Sequence, residues 1–193
     1  MEIFEDYVYT EQLELDLSVI KKSVYDLNEI VTNTVIPNFV PSYSIEAPES
    51  TKFYEHYNLL MYPFPGFYDL YFSIQHLFRS IINTNRQYYV QCWVNIFKEQ
   101  QFIDWHNHWL PEFKAYHGFY CVNGENTITS YKLKNGKEID IKNKNNQIVI
   151  SKSDGDFHRT YPWHDANEDR ITIAFDMVPA EKIHFGFNHW IPI

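Results

Sequence analysis

The chain has 193 residues, of which 45% are hydrophobic and 18% aromatic, and its formal net charge is −9 at pH 7. So many large apolar rings are typical of a folded protein and exclude a largely disordered one. The length suits a single domain with a substantial core. The acidic charge provides no field that would attract a polyphosphate, so nucleic acid is not an expected partner.

Membrane-spanning and secreted classes are also disfavoured. No apolar run approaches the roughly 18 residues that a transmembrane helix needs, and the start, "MEIFEDYVYTEQ", lacks a signal-peptide pattern. Cys92 and Cys121 lie in strand-like apolar runs without a CxxC motif, so we expect two buried free thiols. We therefore expect a cytoplasmic protein with no membrane attachment. The oligomeric state stays open, a homodimer included.

The first half of the chain predicts two amphipathic helices, over residues 11–32 and 67–83. Proline-rich stretches at 36–50 and 62–66 separate them. We interpret residues 1–87 as a helical support region. The apolar stripe of the first helix consists of Leu13, Leu17, Ile20, Val24, Leu27 and Val31.

From Tyr88 onward the apolar period changes to two, which indicates strands. Turn signals such as "NGEN" and "KSDGD" separate short segments, and strands at this spacing predict a β-sandwich or barrel. We therefore expect a single domain, 1–193, that is mainly β with N-terminal helices, a β core over 88–178 and a C-terminal tail over 179–193. The predicted strands cover 88–97, 116–123, 127–133, 138–142, 147–151, 156–161 and 170–178.

Two of the nine histidines form a pair in "FIDWHNHWLPEF" (102–113), which reads as an aromatic-rich strand. An extended chain points residues i and i+2 the same way, so His106 and His108 should face one spot. A metal site is one interpretation of this spacing. The isolated histidines are more simply surface or satisfied core residues, namely His56, His76, His117, His184 and His189.

A second cluster lies in "SDGDFHRTYPWHDANEDRITIAFD" (153–176), where His158 stands at a strand start and Arg170 opens the last long strand. An Arg whose strand face continues into small residues points into a cavity or into solvent, and spacing alone leaves both open. The residues that share this face are Arg170, Thr172, Ala174 and Asp176, whereas Ile171, Ile173 and Phe175 share the other.

Together these motifs resemble the iron(II)- and 2-oxoglutarate-dependent oxygenases. The usual signature of that family is His-x-Asp/Glu, a distant His and then an Arg in an Arg-x-Ser pattern. The stretch "QCWVNIFKEQQFIDWHNHW" especially resembles a branch seen in marine bacteria and phages, whose first motif reads H-x-H after a Trp-x-Asn strand. The resemblance covers about residues 88–178 and does not extend to the N-terminal half.

The resemblance implies a double-stranded β-helix (a jelly-roll, cupin-like core) with a metal near one mouth. It makes His106, His108 and His158 the metal ligands. Arg170 would pair with the distal carboxylate of 2-oxoglutarate, a role that suits a planar guanidinium. The further co-substrate contacts would be Thr172, Asn95 and Tyr120, and the substrate pocket would include Trp93, Trp105 and Tyr131.

One departure from the family signature concerns position 108, where a His stands in place of the carboxylate. Three neutral imidazoles leave the site one unit more positive than two imidazoles and a carboxylate. Such a site could hold Fe(II), and it would also suit Zn(II) or Ni(II). His164 competes with His158 as the distal ligand, but it lies only six residues before Arg170 in a predicted loop. We therefore favour His158.

The implied function is a dioxygenase that uses Fe(II), 2-oxoglutarate and O2 to hydroxylate a small-molecule or peptide side-chain substrate, with 2-oxoglutarate converted to succinate. Two alternatives stay open. One is a three-histidine cupin-like metalloenzyme that does not use 2-oxoglutarate, which dependence of 2-oxoglutarate binding on Arg170 would exclude. The other is a non-catalytic jelly-roll binding module, which stoichiometric metal would exclude.

Overall fold

The computed structural model describes residues 1–35, 47–82, 84–153, 157–183 and 189–193. His184, which the sequence assigns to no site, lies outside these residues. The two α-helices are α1 (Leu17–Thr34) and α2 (Phe67–Ile81). The strands are β1 (Glu2–Phe4), β2 (Val8–Gln12), β3 (Tyr88–Phe97), β4 (Ala115–Asn123), β5 (Ile128–Lys132), β6 (Glu138–Lys142), β7 (Gln147–Ser153), β8 (Phe157–Thr160), β9 (Arg170–Pro179) and β10 (Ile191–Pro192).

The strands form two antiparallel sheets that face each other. The larger has the order β1-β2-β7-β4-β9-β3-β10, and the smaller has the order β6-β5-β8. From β3 onward the chain passes back and forth between the two sheets, which is the topology of a double-stranded β-helix. The predicted fold class is therefore confirmed, and all seven predicted strands occur within two residues of their predicted bounds.

The stretch around the paired histidines is less regular than predicted. It contains no strand in the structure; His106 instead forms an isolated β-bridge with His158. The carboxylate of Asp104 accepts a hydrogen bond from the backbone N–H of Trp105, at 2.7 Å. Such local side-chain bonds compete with the strand ladder, so the chain bends here although its pattern is apolar and aromatic.

The N-terminal prediction was wrong in its first residues. The segment predicted to start the first helix pairs instead with β7 as β2, and α1 begins at Leu17. Asp16 caps that helix because its carboxylate accepts the backbone N–H groups of Ser18 and Val19 at 3.0 and 3.2 Å. Residues from both ends of the chain thus join the larger sheet, since β10 pairs with β3.

Both helices pack on the outer face of the larger sheet. On α1 the predicted stripe is buried through Ile20, Val24 and Leu27, and on α2 through Leu70 and Ile74. These side chains share one hydrophobic core with the apolar face of β9, which leaves the polar face of that strand for the interior. The β9 residues in this layer are Ile171, Ile173, Phe175 and Met177.

The two cysteines are buried free thiols, as predicted. Burial raises the pKa of Cys92 well above its ordinary value and that of Cys121 to about 12, so neither is a reactive thiolate near neutral pH. Within the residues that the structure describes, neither helix combines the length and apolar character needed to cross a lipid bilayer.

Gly118 in β4 marks a close approach to its two neighbouring strands in the larger sheet, β7 and β9. A Cβ atom there would lie 2.2 Å from the carbonyl oxygen of Val149 and 2.6 Å from the Phe175 ring. We expect Gly118→Ala to lower the free energy of unfolding by roughly 2–4 kcal/mol, because backbone and a packed ring must both shift. Urea unfolding measures the change.

Gly136→Asn is the matched control. Nothing lies within 4 Å of a Cβ at Gly136, and Asn tolerates its left-handed backbone, φ +82°. The free energy of unfolding of that variant should lie within about 1 kcal/mol of that of the parent protein. Parental stability in Gly118→Ala would contradict the close packing described.

Candidate metal and anion site

A cavity of about 750 Å³ opens between the two sheets. The polar face of β9 lines it, so Arg170 points into the cavity rather than into solvent. The H-x-H segment and β8 close one side with the three candidate ligands. The remaining wall is largely aromatic and includes Tyr54, Trp93, Phe97, Trp105, Trp109, Phe113 and Trp190.

The structure brings His106, His108 and His158 together. One ring nitrogen from each lies within 4.8 Å of the others. The backbone fixes two of the three, because the N–H of His106 donates to the carbonyl of His158 at 3.1 Å and the reverse bond measures 2.9 Å. The ring centroids of His106 and His158 are 4.1 Å apart, and His108 lies 5.3 and 5.1 Å from them. This spacing can accommodate a divalent cation.

Hydrogen bonds orient two of these rings. Nδ1 of His106 lies 2.8 Å from the backbone carbonyl of Asp104, and Nδ1 of His108 lies 2.6 Å from a carboxylate oxygen of Asp176. Both partners are acceptors, so each Nδ1 carries the proton and each Nε2 keeps its lone pair. The lone pair is what a metal ion binds.

The cluster favours uncharged imidazoles. Burial lowers the pKa of His106 to about 3, with the neighbouring His108 as the next cause. Burial also lowers the pKa of His158 well below 6.5, followed by the effect of His106. Rings held neutral at pH 7 are already in the form that binds metal, so little proton release has to accompany binding.

The metal-free protein should lose stability in acid because of His158. Its folded pKa lies well below 6.5, so the unfolded chain takes up a proton that the folded state does not, and this penalty grows as pH falls below about 6.5. One such group contributes a slope of up to about 1.4 kcal/mol per pH unit. In urea unfolding between pH 7.5 and 5.5, the free energy of unfolding should change less steeply with pH in His158→Gln than in the parent. Equal slopes would contradict the assignment of this pH dependence to His158.

Two other histidines, His164 and His117, differ in their exposure and in their distance from the cluster. His164 is exposed, with its ring 3.5 Å from the Gln100 amide, and it is not part of the three-histidine group. His117, which the sequence did not select, is 3% exposed and its ring stacks on that of His158 at 4.3 Å. Its Nε2 lies 2.6 Å from the hydroxyl of Ser151. His117 is thus a hydrogen-bonded interior residue beside the cluster.

Among the residues that the structure describes, Arg170 is the largest fully buried side chain, 1% exposed. Its Nε and Nη1 have no hydrogen-bond partner among the described residues, and its guanidinium carbon lies 4.8 Å above the Phe97 ring. Burial lowers the pKa of Arg170 to about 10, which still leaves it charged at pH 7. An unpaired buried cation costs several kcal/mol. A carboxylate bound in the cavity would offset that cost.

Two further predicted residues line the same cavity. Thr172 and Asn95 are paired in register between β9 and β3, and they are 4% and 6% exposed. The side-chain oxygen of Asn95 accepts a hydrogen bond from the Thr51 hydroxyl at 2.7 Å, so its position is fixed. The polar face predicted for β3 and β9 is therefore an interior face.

The predicted aromatic residues fall into two groups. Trp93 and Trp105 line the cavity, and the Trp93 ring stacks on His108 at 5.8 Å. Tyr131 stacks on His158 at 5.6 Å. Tyr120 lies on the opposite face of β4, in the core shared with the helices, where its hydroxyl bonds to Asn146 at 2.6 Å. Its position gives it no contact with the cavity, so we remove Tyr120 from the candidate site.

No protein-family model and no curated protein matches the chain. Solved structures do match. A prolyl hydroxylase from Trichoplax adhaerens, in complex with a hypoxia inducible factor oxygen degradation domain peptide fragment, has a TM-score of 0.64 at 12% identity, over 92% of this chain and 86% of its own. AviO1 from Streptomyces viridochromogenes Tue57 has a TM-score of 0.63 at 13% identity, over 90% of both chains.

A third similar structure is the nickel complex of ThoJ, a non-heme monooxygenase. Its TM-score is 0.55 at 10% identity, over 90% of this chain and 74% of its own. At identities this low the likeness concerns the fold alone. The chain therefore has the double-stranded β-helix fold of a prolyl hydroxylase and a non-heme monooxygenase.

Proposed function

We propose that this chain is an Fe(II)- and 2-oxoglutarate-dependent dioxygenase. The reaction would convert a substrate C–H bond, 2-oxoglutarate and O2 into the hydroxylated product, succinate and CO2. The observation that carries the proposal is Arg170, a buried and unpaired guanidinium that points into the same cavity as three convergent histidines. A dicarboxylate that contacts the metal at one end would meet that guanidinium at the other.

The residues present fit a divalent metal. Three imidazole nitrogens within 4.8 Å of one another can approach a common ion to the usual distance of about 2.0–2.3 Å. Imidazole ligands suit Fe(II), Zn(II) and Ni(II), and the Irving–Williams order makes the last two strong competitors for iron. When bound, iron would supply the redox chemistry that couples decarboxylation of 2-oxoglutarate to oxidation of the substrate.

The protein itself would bind and orient the co-substrate and would shield the substrate space beside the histidines from water. Arg170 offers two parallel N–H donors to a carboxylate in a region with little water, where such a pair is strongest. Thr172 can add a hydroxyl donor from the same strand face, and Asn95 is held beside it. The aromatic wall leaves an apolar space next to the histidines, in which a substrate C–H bond could lie close to the metal.

The solved structures support the proposal through their fold. Those similar in fold include enzymes named as hydroxylase and monooxygenase, one of them with a peptide bound and one with nickel bound. For this chain we propose a small-molecule or peptide side-chain substrate, because the cavity has a volume of about 750 Å³ and is rich in aromatic rings.

A second candidate is a three-histidine metalloenzyme that does not use 2-oxoglutarate. His108 supports it, since this position holds an imidazole where the oxygenase signature has a carboxylate. Arg170 would then hold a carboxylate of the substrate itself. Both candidates need the same metal site and differ in the ligand of the guanidinium.

The deciding experiment is a binding and turnover measurement on protein purified without oxygen. The dioxygenase should bind one Fe(II) and one 2-oxoglutarate per chain, and on admission of O2 it should form succinate slowly even without its substrate. Stoichiometric metal with no 2-oxoglutarate binding would favour the second candidate. Absence of stoichiometric metal would overturn both and leave a binding module.

A further inference from the structure

The carboxylate that position 108 lacks is present nearby, on a different strand. Asp176 lies on the cavity face of β9, and its Oδ1 is 2.6 Å from Nδ1 of His108. Both side chains are largely shielded, with 9% and 15% of their surfaces exposed. A carboxylate that is buried to this degree needs a partner, and the contact with His108 provides one.

We infer that Asp176 is the positioning residue of the metal centre, acting through His108. The inference rests on the proposed metal site. A carboxylate at Nδ1 keeps the proton on that nitrogen, directs Nε2 towards the ion and increases the electron density that the ring donates. His106 has only the backbone carbonyl of Asp104 at the same place, at 2.8 Å.

The same contact restores the charge of the site. Two imidazoles and a carboxylate carry one negative charge, whereas three imidazoles carry none. Asp176 returns that unit of charge one hydrogen bond away from the ligand nitrogen. The charge thus lies outside the ligand set while the ion still experiences its field, since the intervening groups are buried. This arrangement explains how a third histidine could be tolerated at position 108.

Strand pairing holds Asp176 independently of His108. Asp176 is in register with His117 of β4 on one side and with Gln91 of β3 on the other, in the middle of the larger sheet. Its backbone therefore cannot follow a movement of the H-x-H segment. The rigid strand would fix the ring, as expected of a residue that orders a ligand on an irregular loop.

The test compares Co(II) affinity in the parent protein, Asp176→Asn and the control Asp140→Asn. Asp140 is an exposed strand carboxylate that accepts a hydrogen bond from Ser130 and does not line the cavity, so the control removes the same charge from outside the site. We expect Asp176→Asn to weaken Co(II) binding by about 10- to 100-fold. The control should keep parental affinity. In a His108→Ala background, Asp176→Asn should cause a clearly smaller loss, because only the field of the carboxylate at the ion remains.

Parental affinity in Asp176→Asn, or an equal loss with and without His108, would overturn the inference and leave the metal site intact. Failure of the parent to bind Co(II) would overturn the metal site as well, so the two failures are distinguishable. If Asp176→Asn does not fold, nitrogen NMR of the metal-free parent decides instead. His108 should show the Nδ1–H tautomer, and the Nε2–H tautomer would overturn the inference.

Discussion

Replacing Arg170 with Leu should weaken 2-oxoglutarate binding by roughly 100-fold or more, about 3 kcal/mol. The guanidinium is buried and lacks a partner among the described residues, so the distal carboxylate of the co-substrate would be its counter-charge. Without it, that carboxylate would enter an apolar space unpaired. Calorimetric titration of the anaerobic, Fe(II)-loaded protein measures the loss.

Two comparisons make the Arg170 result specific. Arg79→Leu removes the same charge from the exposed end of α2 and should leave the affinity for 2-oxoglutarate unchanged. Fe(II) affinity should be similar in Arg170→Leu and in the parent, because Arg170 is not among the candidate ligands. Undiminished 2-oxoglutarate binding in Arg170→Leu would remove the dioxygenase proposal and promote the metalloenzyme that does not use it.

Replacing His158 with Ala should weaken Co(II) or Fe(II) binding by more than about 100-fold, because it removes one of three ligands rather than an outer contact. His158 supplies the ring closest to His106, with 4.1 Å between the centroids. The two remaining imidazoles could hold an ion only with water in the vacated positions. Titration with Co(II), followed by its visible absorption, would report both affinity and geometry.

The matched variants for the metal experiment are His76→Ala and His164→Ala. His76 is exposed on α2, and His164 is the exposed loop histidine that competed for the distal role in the sequence. Both variants should bind metal as the parent does. Loss of binding in His164→Ala with retention in His158→Ala would reverse the assignment of the distal ligand.

The residues of β9 illustrate what the sequence could predict. Its two faces differ sharply in polarity, so their separation followed from the period of two alone. Which face pointed inward was open, and the structure answers it because the helices cover the apolar side. Asp176 was already placed on the same face as Arg170, yet nothing in the pattern connected it with His108, a contact between residues 68 positions apart.

The opposite case is β4, where both faces are aromatic or apolar. His117 and Tyr120 lie on opposite faces of this strand, and the residue pattern offers no reason to prefer one face as the interior one. The resemblance placed Tyr120 in the site and did not include His117, whereas in the structure the His117 ring lies beside His158 and Tyr120 lies in the core on the other face. The close approach at Gly118 to the Phe175 ring could have decided the parity, but it depends on contacts between strands that are distant in sequence.

The N-terminal strands show a different limit of sequence reasoning. Residues 8–12 carry too few apolar positions for a clear period, and their burial comes from pairing with β7. Context of this kind overrides local preference. The strand prediction for the H-x-H segment was wrong for a related reason, since the aromatic rings of this segment face a cavity and do not belong to a strand ladder.

The backbone bridge between His106 and His158 bears on how the protein would respond to a chelator. Two reciprocal backbone hydrogen bonds already join the ends of the segment from His106 to His158. The entropy of closing this long loop is therefore lost during folding. A metal ion would bind to a preformed site, and the ion would not be needed to assemble that site. The barrel should therefore survive removal of the ion, unlike small domains whose folding depends on their metal, and the same polypeptide could be emptied and reloaded with different ions without refolding.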